Sequence, residues 1–326
     1  MEFDLSDVQA AWRDKGAGLG RDVARDAAAA GVIMGAGRVG LLDPAADLLA
    51  VAVAVEAMAC ESPAAAVTFA LHSATALPLA PDPRFSSLFR GESVAAVGLS
   101  SDDTPVEAAG RLSGRAPWVA PLTDHGVAVV APRSGGERSA YAMALDAPGV
   151  VVEVVRTAAL EGLICGHVTL HEVEAIAVGP TLPIMTRIRV FMAAVGLGIG
   201  RRALREALAT ARAAHTVAAG EQTVQGLLAD AATELDAAMM LTWKAAAALQ
   251  PSLADASMAK LVATAAAQRA VERATQVVGA DSFQRGHIVE RLAQDVRALE
   301  LFAGRTEALR EAVAEEVLPR ARGYGD

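Results

Sequence analysis

Hydrophobic and polar positions divide the chain into three stretches with different patterns. Residues 1–92 contain apolar runs broken by glycine and proline, and the run from Asp47 to Ser62 is the most helix-like of them. Pro63 fits the first turn of a helix that follows this run. In residues 93–178 the apolar runs are short, rich in valine and bounded by Gly, Pro, Ser and Asp, which is typical of β-strands. Residues 179–326 show longer patterns with helical spacing.

The third stretch predicts several long helices that follow two prolines, Pro180 and Pro183. One helix is expected from about Glu221 to Leu249, because apolar residues recur there at core spacing. Another is expected from about Asp255, with one polar face and one apolar side, and therefore half-buried. Its polar face consists of Lys260, Thr264, Gln268, Glu272 and Gln276. Its apolar side consists of Met258, Val262, Ala266 and Ala270.

The order of these stretches predicts an α+β protein. We expect an N-terminal helical domain in residues 1–92, a small middle β domain in residues 93–178 and a C-terminal helical bundle in residues 179–326. Hydrophobic residues make up 53% of the chain but aromatic residues only 4%, since much of the apolar content is alanine. Alanine favours helices and allows them to approach each other closely.

Charge and composition exclude some classes of function. The net charge of −9, without any run rich in lysine or arginine, argues against nucleic-acid binding. Two cysteines are too few for a disulfide framework. The acidic N-terminal segment lacks the features of a signal peptide, and the longest apolar runs, such as Val190 to Gly200, are short for a membrane span. A cytoplasmic protein that does not bind a membrane is therefore expected.

Three segments carry a resemblance to a known family. They read ASMAK (Ala256 to Lys260), QVVGADSF (Gln276 to Phe283) and VERLAQDVRALELFAG (Val289 to Gly304). Their order and ungapped spacing resemble the C-terminal helical domain of the acyl-CoA dehydrogenases, where the runs are ASxAK, QxxGGxGF and VERLxRDxxxxxIYEGT. The resemblance implies that family's fold, with a helical domain, a β domain and a C-terminal four-helix bundle. It also implies FAD-dependent dehydrogenation of an acyl-CoA.

The catalytic base of the resembled family is missing from this chain. In the family, the glutamate of the YEGT motif removes the α proton of the acyl thioester. Here that position is Ala303, and an alanine side chain cannot take a proton. Some relatives place the base on the central helix instead, but that position is Ile188. Glu307, one helical turn after Ala303, is an alternative base, although a glutamate in the first turn of a helix usually complements the helix dipole.

The resemblance also assigns candidate cofactor residues. Gln276, Gly279 and Phe283 correspond to the loop that reaches across a dimer interface and holds the FAD of the partner subunit in the family. Ala280 replaces a glycine of that loop. Trp118, in GRLSGRAPWVAP, occupies the position of a tryptophan that packs near the flavin ring. An FAD shared with a partner subunit is therefore implied.

Other positions depart from the family pattern. Arg189 keeps the arginine of the central-bundle helix, for which the resemblance implies a contact with substrate. The TEPxAGSD segment, which lines flavin and substrate, is replaced by the sequence from Gly98 to Pro105. Ala120 and Pro121 stand where the family has Thr and Asn, and proline has no N–H to donate. The RxxFG element that grips the cofactor pyrophosphate is replaced by Ala211 to His215.

The remaining motifs give weaker signals. Cys165, His167 and His171 form a CxHx3H pattern on a predicted strand, but no fourth ligand follows at a convincing spacing, so no metal site is assigned. The glycines of Gly196 to Gly200 lack the strand-to-helix turn of a dinucleotide site, and close helix packing is the better explanation. The other histidines have no catalytic setting and are expected at the surface or at helix ends. They are His72, His125, His215 and His287.

Because the chain resembles this family but lacks its catalytic base, three functional hypotheses follow. The first is a non-catalytic subunit that pairs with a catalytic acyl-CoA dehydrogenase subunit in an α2β2 assembly, like the short subunits known from steroid catabolism, and acts on a bulky acyl-CoA. The second is a homodimeric acyl-CoA or acyl-carrier dehydrogenase that uses a different base. The third is a flavin-free scaffold that stabilises a partner.

Overall fold

The chain divides into two compact units, residues 1–188 and 189–326. The three predicted domain boundaries stay a prediction, but the order of helices, then strands, then helices is observed in the elements themselves. The computed structural model describes residues 4–26, 31–99, 105–108, 110–132, 139–213 and 221–318.

Among its described residues, the first unit begins with five α-helices. Aspartate and serine cap two of them: Asp47 accepts a hydrogen bond from the Ala50 N–H at 2.6 Å, and Ser62 caps the next helix, whose first residue is Pro63. The prediction for Pro63 is therefore confirmed. The helices are α1 (Asp7–Asp26), α2 (Gly31–Val39), α3 (Leu48–Ala59), α4 (Pro63–Ala76) and α5 (Ser86–Arg90).

In the described part of residues 94–180, two four-stranded sheets follow. The first has the order β1-β4-β5-β8, with β1 and β4 parallel, and the second has the order β2-β3-β7-β6, with antiparallel pairs throughout. Inward side chains of both sheets, including Leu112, Val130 and Val168, pack into one apolar core. The strands are β1 (Val94–Gly98), β2 (Val106–Ala108), β3 (Arg111–Val119), β4 (Gly126–Val130), β5 (Ser139–Ala144), β6 (Val150–Val155), β7 (Cys165–Glu174) and β8 (Ile176–Pro180).

Long helices build the second unit. Gly196 and Gly200 lie where α6 approaches its neighbours closely, since a side chain on Gly196 would lie 3.3 Å from the carbonyl oxygen of Ala263. Close helix packing, as predicted for these glycines, is confirmed. The helices are α6 (Thr181–Ala213), which begins in the first unit, α7 (Gln222–Ala247), α8 (Leu253–Val278), α9 (Ile288–Leu301) and α10 (Thr306–Val317).

The predicted orientation of α8 was wrong at two positions. Lys260 is fully buried and Thr264 is 7% exposed, although the pattern placed both on the polar face. Met258 and Val262, expected on the buried side, are only partly buried. The physical reason is that α8 packs against α7, α9 and α10, and alanine on most of its surface lets these neighbours cover more than one face.

Helix α6 contains the apolar run that is too short to span a membrane by itself. The whole helix, with 33 residues, is long and apolar enough to cross a membrane by length and composition alone. It is the one such helix among the described residues. In its most apolar window, 78% of the residues are buried within the protein. This is typical of a core helix.

Candidate functional site

The turn between α9 and α10 carries the position where the resemblance places the base. Ala303 has a φ angle of +58° and Gly304 one of +114°, so two consecutive residues lie at positive φ. A non-glycine residue in this region costs free energy and persists where surrounding contacts hold it. Two buried basic side chains, Arg189 and Lys260, donate hydrogen bonds to the carbonyl groups of this turn.

Arg189 connects three helices of the second unit. Its side chain, on α6, donates from Nε to the Ala303 carbonyl oxygen at 3.1 Å and from Nη1 to the Ser257 hydroxyl at 2.7 Å. The Ser257 hydroxyl in turn donates to the Leu253 carbonyl oxygen one turn earlier on α8. Arg189 is 8% exposed, and burial lowers the pKa of its guanidinium. The observed role of Arg189 is to position the turn, and a contact with substrate stays a prediction.

Lys260 holds the same turn from α8. Its ammonium donates to the Gly304 carbonyl oxygen at 2.7 Å and to the Glu300 carbonyl oxygen at 3.3 Å. Burial and, secondly, the positive charge of Arg189 lower the pKa of Lys260 to about 7, while the Glu300 carboxylate acts in the opposite direction. The ASMAK segment thus supplies both Ser257 and Lys260 to the network that fixes Ala303.

No carboxylate occupies either of the two positions that the resemblance assigns to a base. Ala303 is partly buried, and Ile188 is 4% exposed. Glu307 lies exposed in the first turn of α10, where a carboxylate complements the positive end of the helix dipole. The geometry therefore provides a turn that Arg189 and Lys260 hold in place, without a carboxylate at either position.

The strand β3 carries the predicted flavin contact of the first unit. Trp118 is 57% exposed, has a φ angle of +54° and meets the His167 ring edge-on at a centroid distance of 5.4 Å. Its backbone N–H donates to His167 Nδ1 at 3.4 Å. Ala120 exchanges backbone hydrogen bonds with Val97, and Pro121 has no N–H. The backbone donors of residues 118, 120 and 121 are therefore used or missing, which fits a flavin at this strand poorly.

The loop after α8 carries the other predicted cofactor residues. Gln276 is exposed in the last turn of α8, and Gly279 ends the helix with φ of +74° and ψ of −143°. A side chain on Gly279 would meet no atom within 4 Å. Ala280 is exposed, and Phe283 is 78% exposed. An open loop with an exposed aromatic residue and a glycine backbone fits a cofactor that a partner subunit holds.

The histidine predictions had different outcomes. His72 is buried on α4, at 1% exposure, so its expected place at the surface or a helix end was wrong. Its Nδ1 accepts a hydrogen bond from the Ala95 N–H at 3.0 Å, and burial lowers its pKa to about 4, while a hydrogen bond to the Leu88 backbone opposes this shift. His125 is exposed and His287 caps α9, as predicted. His215 lies outside the described residues.

No metal centre is found where the sequence hinted at one. Cys165 is buried on β7, and burial raises the pKa of its thiol. Within the described part of the chain, no group of three or more His, Cys, Asp or Glu side chains could hold a metal ion. Two further predictions cannot be followed, because residues 100–104 of the substituted TEPxAGSD segment and residues 214 and 215 of the substituted RxxFG element lie outside the described residues.

Solved structures show which fold these elements form. Butyryl-CoA dehydrogenase from Megasphaera elsdenii superimposes with a TM-score of 0.86 over 98% of this chain and 100% of the other, at 18% identity. A glutaryl-CoA dehydrogenase from Mycobacterium smegmatis in complex with FADH2 gives a TM-score of 0.85 over 100% of this chain and 97% of the other, at 15% identity. The chain has the acyl-CoA dehydrogenase fold. The predicted fold class is thereby confirmed.

Sequence similarity is concentrated in the C-terminal part. Residues 182–318 match the family model described as acyl-CoA dehydrogenase, C-terminal domain. The probable acyl-CoA dehydrogenase YngJ of Bacillus subtilis is 32% identical over 136 residues, which are 40% of this chain and 36% of that protein. The match thus spans about a third of this curated relative's length. These findings support a relationship of this chain to the acyl-CoA dehydrogenases, a family of flavin-dependent oxidoreductases. The residues that fix the Ala303 turn lie within the matched segment.

Sequence reasoning missed the burial of Lys260 and His72. For Lys260 a signal existed, since it belongs to the ASMAK motif and its helical neighbours include Ala256 and Ala263. For His72 the signal was the run of small apolar residues around it on α4, which leaves that helix without a polar face. A titratable residue inside such a run is more easily buried than exposed.

Proposed function

We propose that this protein is a non-catalytic subunit of a flavin-dependent acyl-CoA dehydrogenase. It pairs with a catalytic subunit in an α2β2 assembly, completes the binding sites for FAD and shapes a pocket for a bulky acyl-CoA. The observation that carries this proposal is Ala303, which sits in a turn that Arg189 and Lys260 hold in place although the turn has no carboxylate.

The chemistry explains why this absence matters. Dehydrogenation of an acyl thioester requires a carboxylate that takes the α proton while bound FAD accepts the β hydride. In this chain neither Ala303 nor Ile188 can take a proton, so the partner subunit has to supply the base. The retained residues Arg189 and Lys260 act on the backbone of the turn and not on a reacting atom.

The cofactor assignment rests on the difference between two regions of this chain. The end of β3 has no spare backbone donor at residues 118, 120 and 121. The loop that contains Gly279 and Phe283 is open and exposed. If FAD is shared, Gln276, Gly279, Ala280 and Phe283 are the residues that would contact the FAD of the partner subunit. Trp118 would then contribute little to an FAD bound in this chain.

Two other functions remain as alternatives. A homodimeric acyl-CoA or acyl-carrier dehydrogenase would need another base, and Glu307, four positions after Ala303, is the candidate for it. A scaffold subunit without flavin would keep the fold and the interface only. A steroid-derived acyl-CoA as substrate is part of the leading proposal and is carried by resemblance alone. A cytoplasmic location is also part of it and is carried by composition.

The protein purified alone is expected to retain little FAD and to show no acyl-CoA dehydrogenase turnover. Co-expression with a neighbouring reading frame that encodes an intact catalytic glutamate and a TEPxxGSD segment should yield a yellow, active heteromer. Mass measurement and flavin absorbance of the purified complex test both statements. A yellow, active homo-oligomer that loses activity on Glu307→Gln would overturn the proposal in favour of the homodimeric enzyme.

The loop after α8 provides a second test. Gly279→Val should reduce the FAD content of the heteromer, because a side chain there would stand between the backbone and the cofactor. Gln276→Ala should reduce it more mildly, by loss of one polar contact worth about 1 kcal/mol. The measurement is FAD per heteromer, taken together with thermal unfolding.

Gly286→Val is the matched control for this experiment. Gly286 is also exposed, has a φ angle of +85° and has no atom within 4 Å of the position of a side chain, so valine causes comparable backbone strain there. It lies outside the QVVGADSF segment. Equal flavin content in all three variants and the parent heteromer would remove this loop from the cofactor site and favour the scaffold function.

A further inference from the structure

Strand β6 forms one edge of the second sheet and exposes apolar side chains on both faces. Val151, Val152 and Val154 are 55%, 39% and 59% exposed. Within the part of the chain that the structure describes, β7 is the one strand that pairs with it. Edge strands of soluble proteins are usually protected by lysine, proline, a β-bulge or short length. β6 has six residues, contains neither lysine nor proline and keeps one register with β7 along its whole length.

The backbone of β6 directs a row of hydrogen-bonding groups away from β7. The His171 N–H donates to the Gly149 carbonyl oxygen at 2.9 Å, and the same register continues along both strands. Because bonded and non-bonded pairs alternate in an antiparallel ladder, residues 150, 152 and 154 direct their N–H and C=O groups to the open edge. The Val150 N–H already donates to the Ala147 carbonyl oxygen at 3.1 Å. The remaining groups fit another extended chain, which would add a strand to the sheet.

A second copy of β6 fits this edge in the antiparallel direction. With a twofold axis at Val152, the Val152 residues of the two copies bond to each other, and the Val154 N–H of each copy bonds to the Val150 carbonyl oxygen of the other. This arrangement does not need the Val150 N–H. The side chains of these valines lie on the core side of the sheet, opposite Leu170 and Val168 of β7. Across the axis they form one row of valine pairs, which stabilise a sheet.

The one charged residue of β6 favours this register over the next one. A twofold axis at Glu153 would place two carboxylates directly opposite each other, which is unfavourable. With the axis at Val152, Glu153 lies opposite Val151 of the second copy. Glu153 then keeps the ion pair with Arg115 of its own copy, at 3.8 Å.

Opposite charges lie beyond the two ends of β6. Asp146 precedes the strand, Arg156 follows it, and both residues are exposed. No ion pair is found for Arg156 among the described residues. Antiparallel pairing brings Arg156 of one copy towards Asp146 of the other, at both ends of the paired segment. The edge is therefore complementary to itself in charge as well as in backbone groups and apolar side chains.

We propose that two copies of this protein associate by antiparallel pairing of their β6 strands about Val152, which joins their second sheets into one continuous sheet. The inference goes beyond the proposed function and does not depend on it, since neither FAD nor a catalytic partner takes part in the contact. A strand pair buries less surface than a standard protein interface, so the association should be reversible on dilution.

Sedimentation equilibrium of the full-length protein over a concentration series tests the pairing. Val152→Lys should halve the mass observed at high concentration, because it places two ammonium groups beside each other at the axis. Val106→Lys is the matched control, since Val106 is 59% exposed on β2, the opposite edge of the same sheet, which has three residues. This variant should keep the mass of the parent protein at each concentration.

Cross-linking tests the same contact with a substitution that keeps the edge uncharged. Val152→Cys, treated with a short bismaleimide, should give a covalent dimer. Val106→Cys should give no more than the parent protein, which already contains Cys60 and Cys165. A parent protein that stays monomeric over the whole series, an unchanged mass of Val152→Lys, or equal cross-linking of the two cysteine variants would each overturn the proposal. If Val152→Lys instead prevented only the assembly with a catalytic subunit, the edge would belong to that subunit and the proposal would be wrong.

Discussion

The free energy of unfolding is expected to rise as pH increases from about 7 to about 10, and Lys260→Met should abolish this rise. In the folded protein the pKa of Lys260 is about 7. In the unfolded chain a lysine has a pKa of about 10.4. Between these values the unfolded state binds more protons, so stability increases with pH, by up to about 1.4 kcal/mol per pH unit. The gain is complete above the unfolded pKa, shrinks as pH falls between the two values and is absent below the folded pKa.

The cause of this dependence is the burial of an amine beside a second cation. Lys260 is fully buried, and the charge of Arg189 opposes its protonation. The neutral amine still donates to the Gly304 carbonyl oxygen, so deprotonation removes the charge penalty without removing the hydrogen bond. Methionine fills a similar volume and carries no proton in either state. At low pH the variant therefore loses its donor but also loses a buried charge.

Urea unfolding at pH 6 to 10 measures the effect. The chain has three lysines, and Lys15→Met is the control because Lys15 is exposed on α1. The difference in unfolding free energy between the parent protein and Lys260→Met should grow with pH in favour of the parent. The difference for Lys15→Met should not change comparably. A parallel pH dependence of the parent and Lys260→Met would show that Lys260 is not kept neutral by its environment.

The position of Lys260 shows what an alanine-rich sequence leaves undetermined. Helix α8 could be predicted from its length and spacing, and its start at Leu253 lies close to the predicted one. Which face of α8 is buried could not be predicted, because alanine fits a buried face as well as an exposed one. The neighbouring helices decide which face is covered. The polar residues do recur every four positions along α8, but they differ in burial. Lys260 and Thr264 are buried in the part of the helix that packs against its neighbours, while Gln276 at its end is exposed.

The candidate site was predictable in its chemistry and not in its geometry. That Ala303 and Ile188 cannot act as bases follows from the residue types alone. The positive φ angle of Ala303 and the role of Arg189 depend on contacts between residues 114 positions apart, which no local pattern encodes. The exposure of Phe283 likewise depends on where α8 ends and the chain turns. Motifs therefore located the turn and the loop, and packing determined what each residue does there.

Gly16→Ala is expected to destabilise the protein by about 3 kcal/mol or more, although alanine is a better helix former than glycine. Gly16 lies on α1 where that helix contacts α3. A methyl group on Gly16 would lie 2.3 Å from the Ala54 carbonyl oxygen and 2.9 Å from the Ala54 Cα. Both atoms belong to the backbone, so no change of rotamer can relieve the overlap and the two helices would have to separate.

Gly18→Ala on the same helix separates this overlap from helix propensity. A methyl group on Gly18 would meet no atom within 4 Å, so this variant should gain about 1 kcal/mol from the preference of alanine for helices. Opposite shifts of the thermal unfolding midpoint are therefore expected from two identical substitutions two positions apart. If Gly16→Ala were as stable as Gly18→Ala, α1 and α3 would not pack as closely as the structure shows. The N-terminal helices, which lie outside the segment that matches the family model, would then be held together differently.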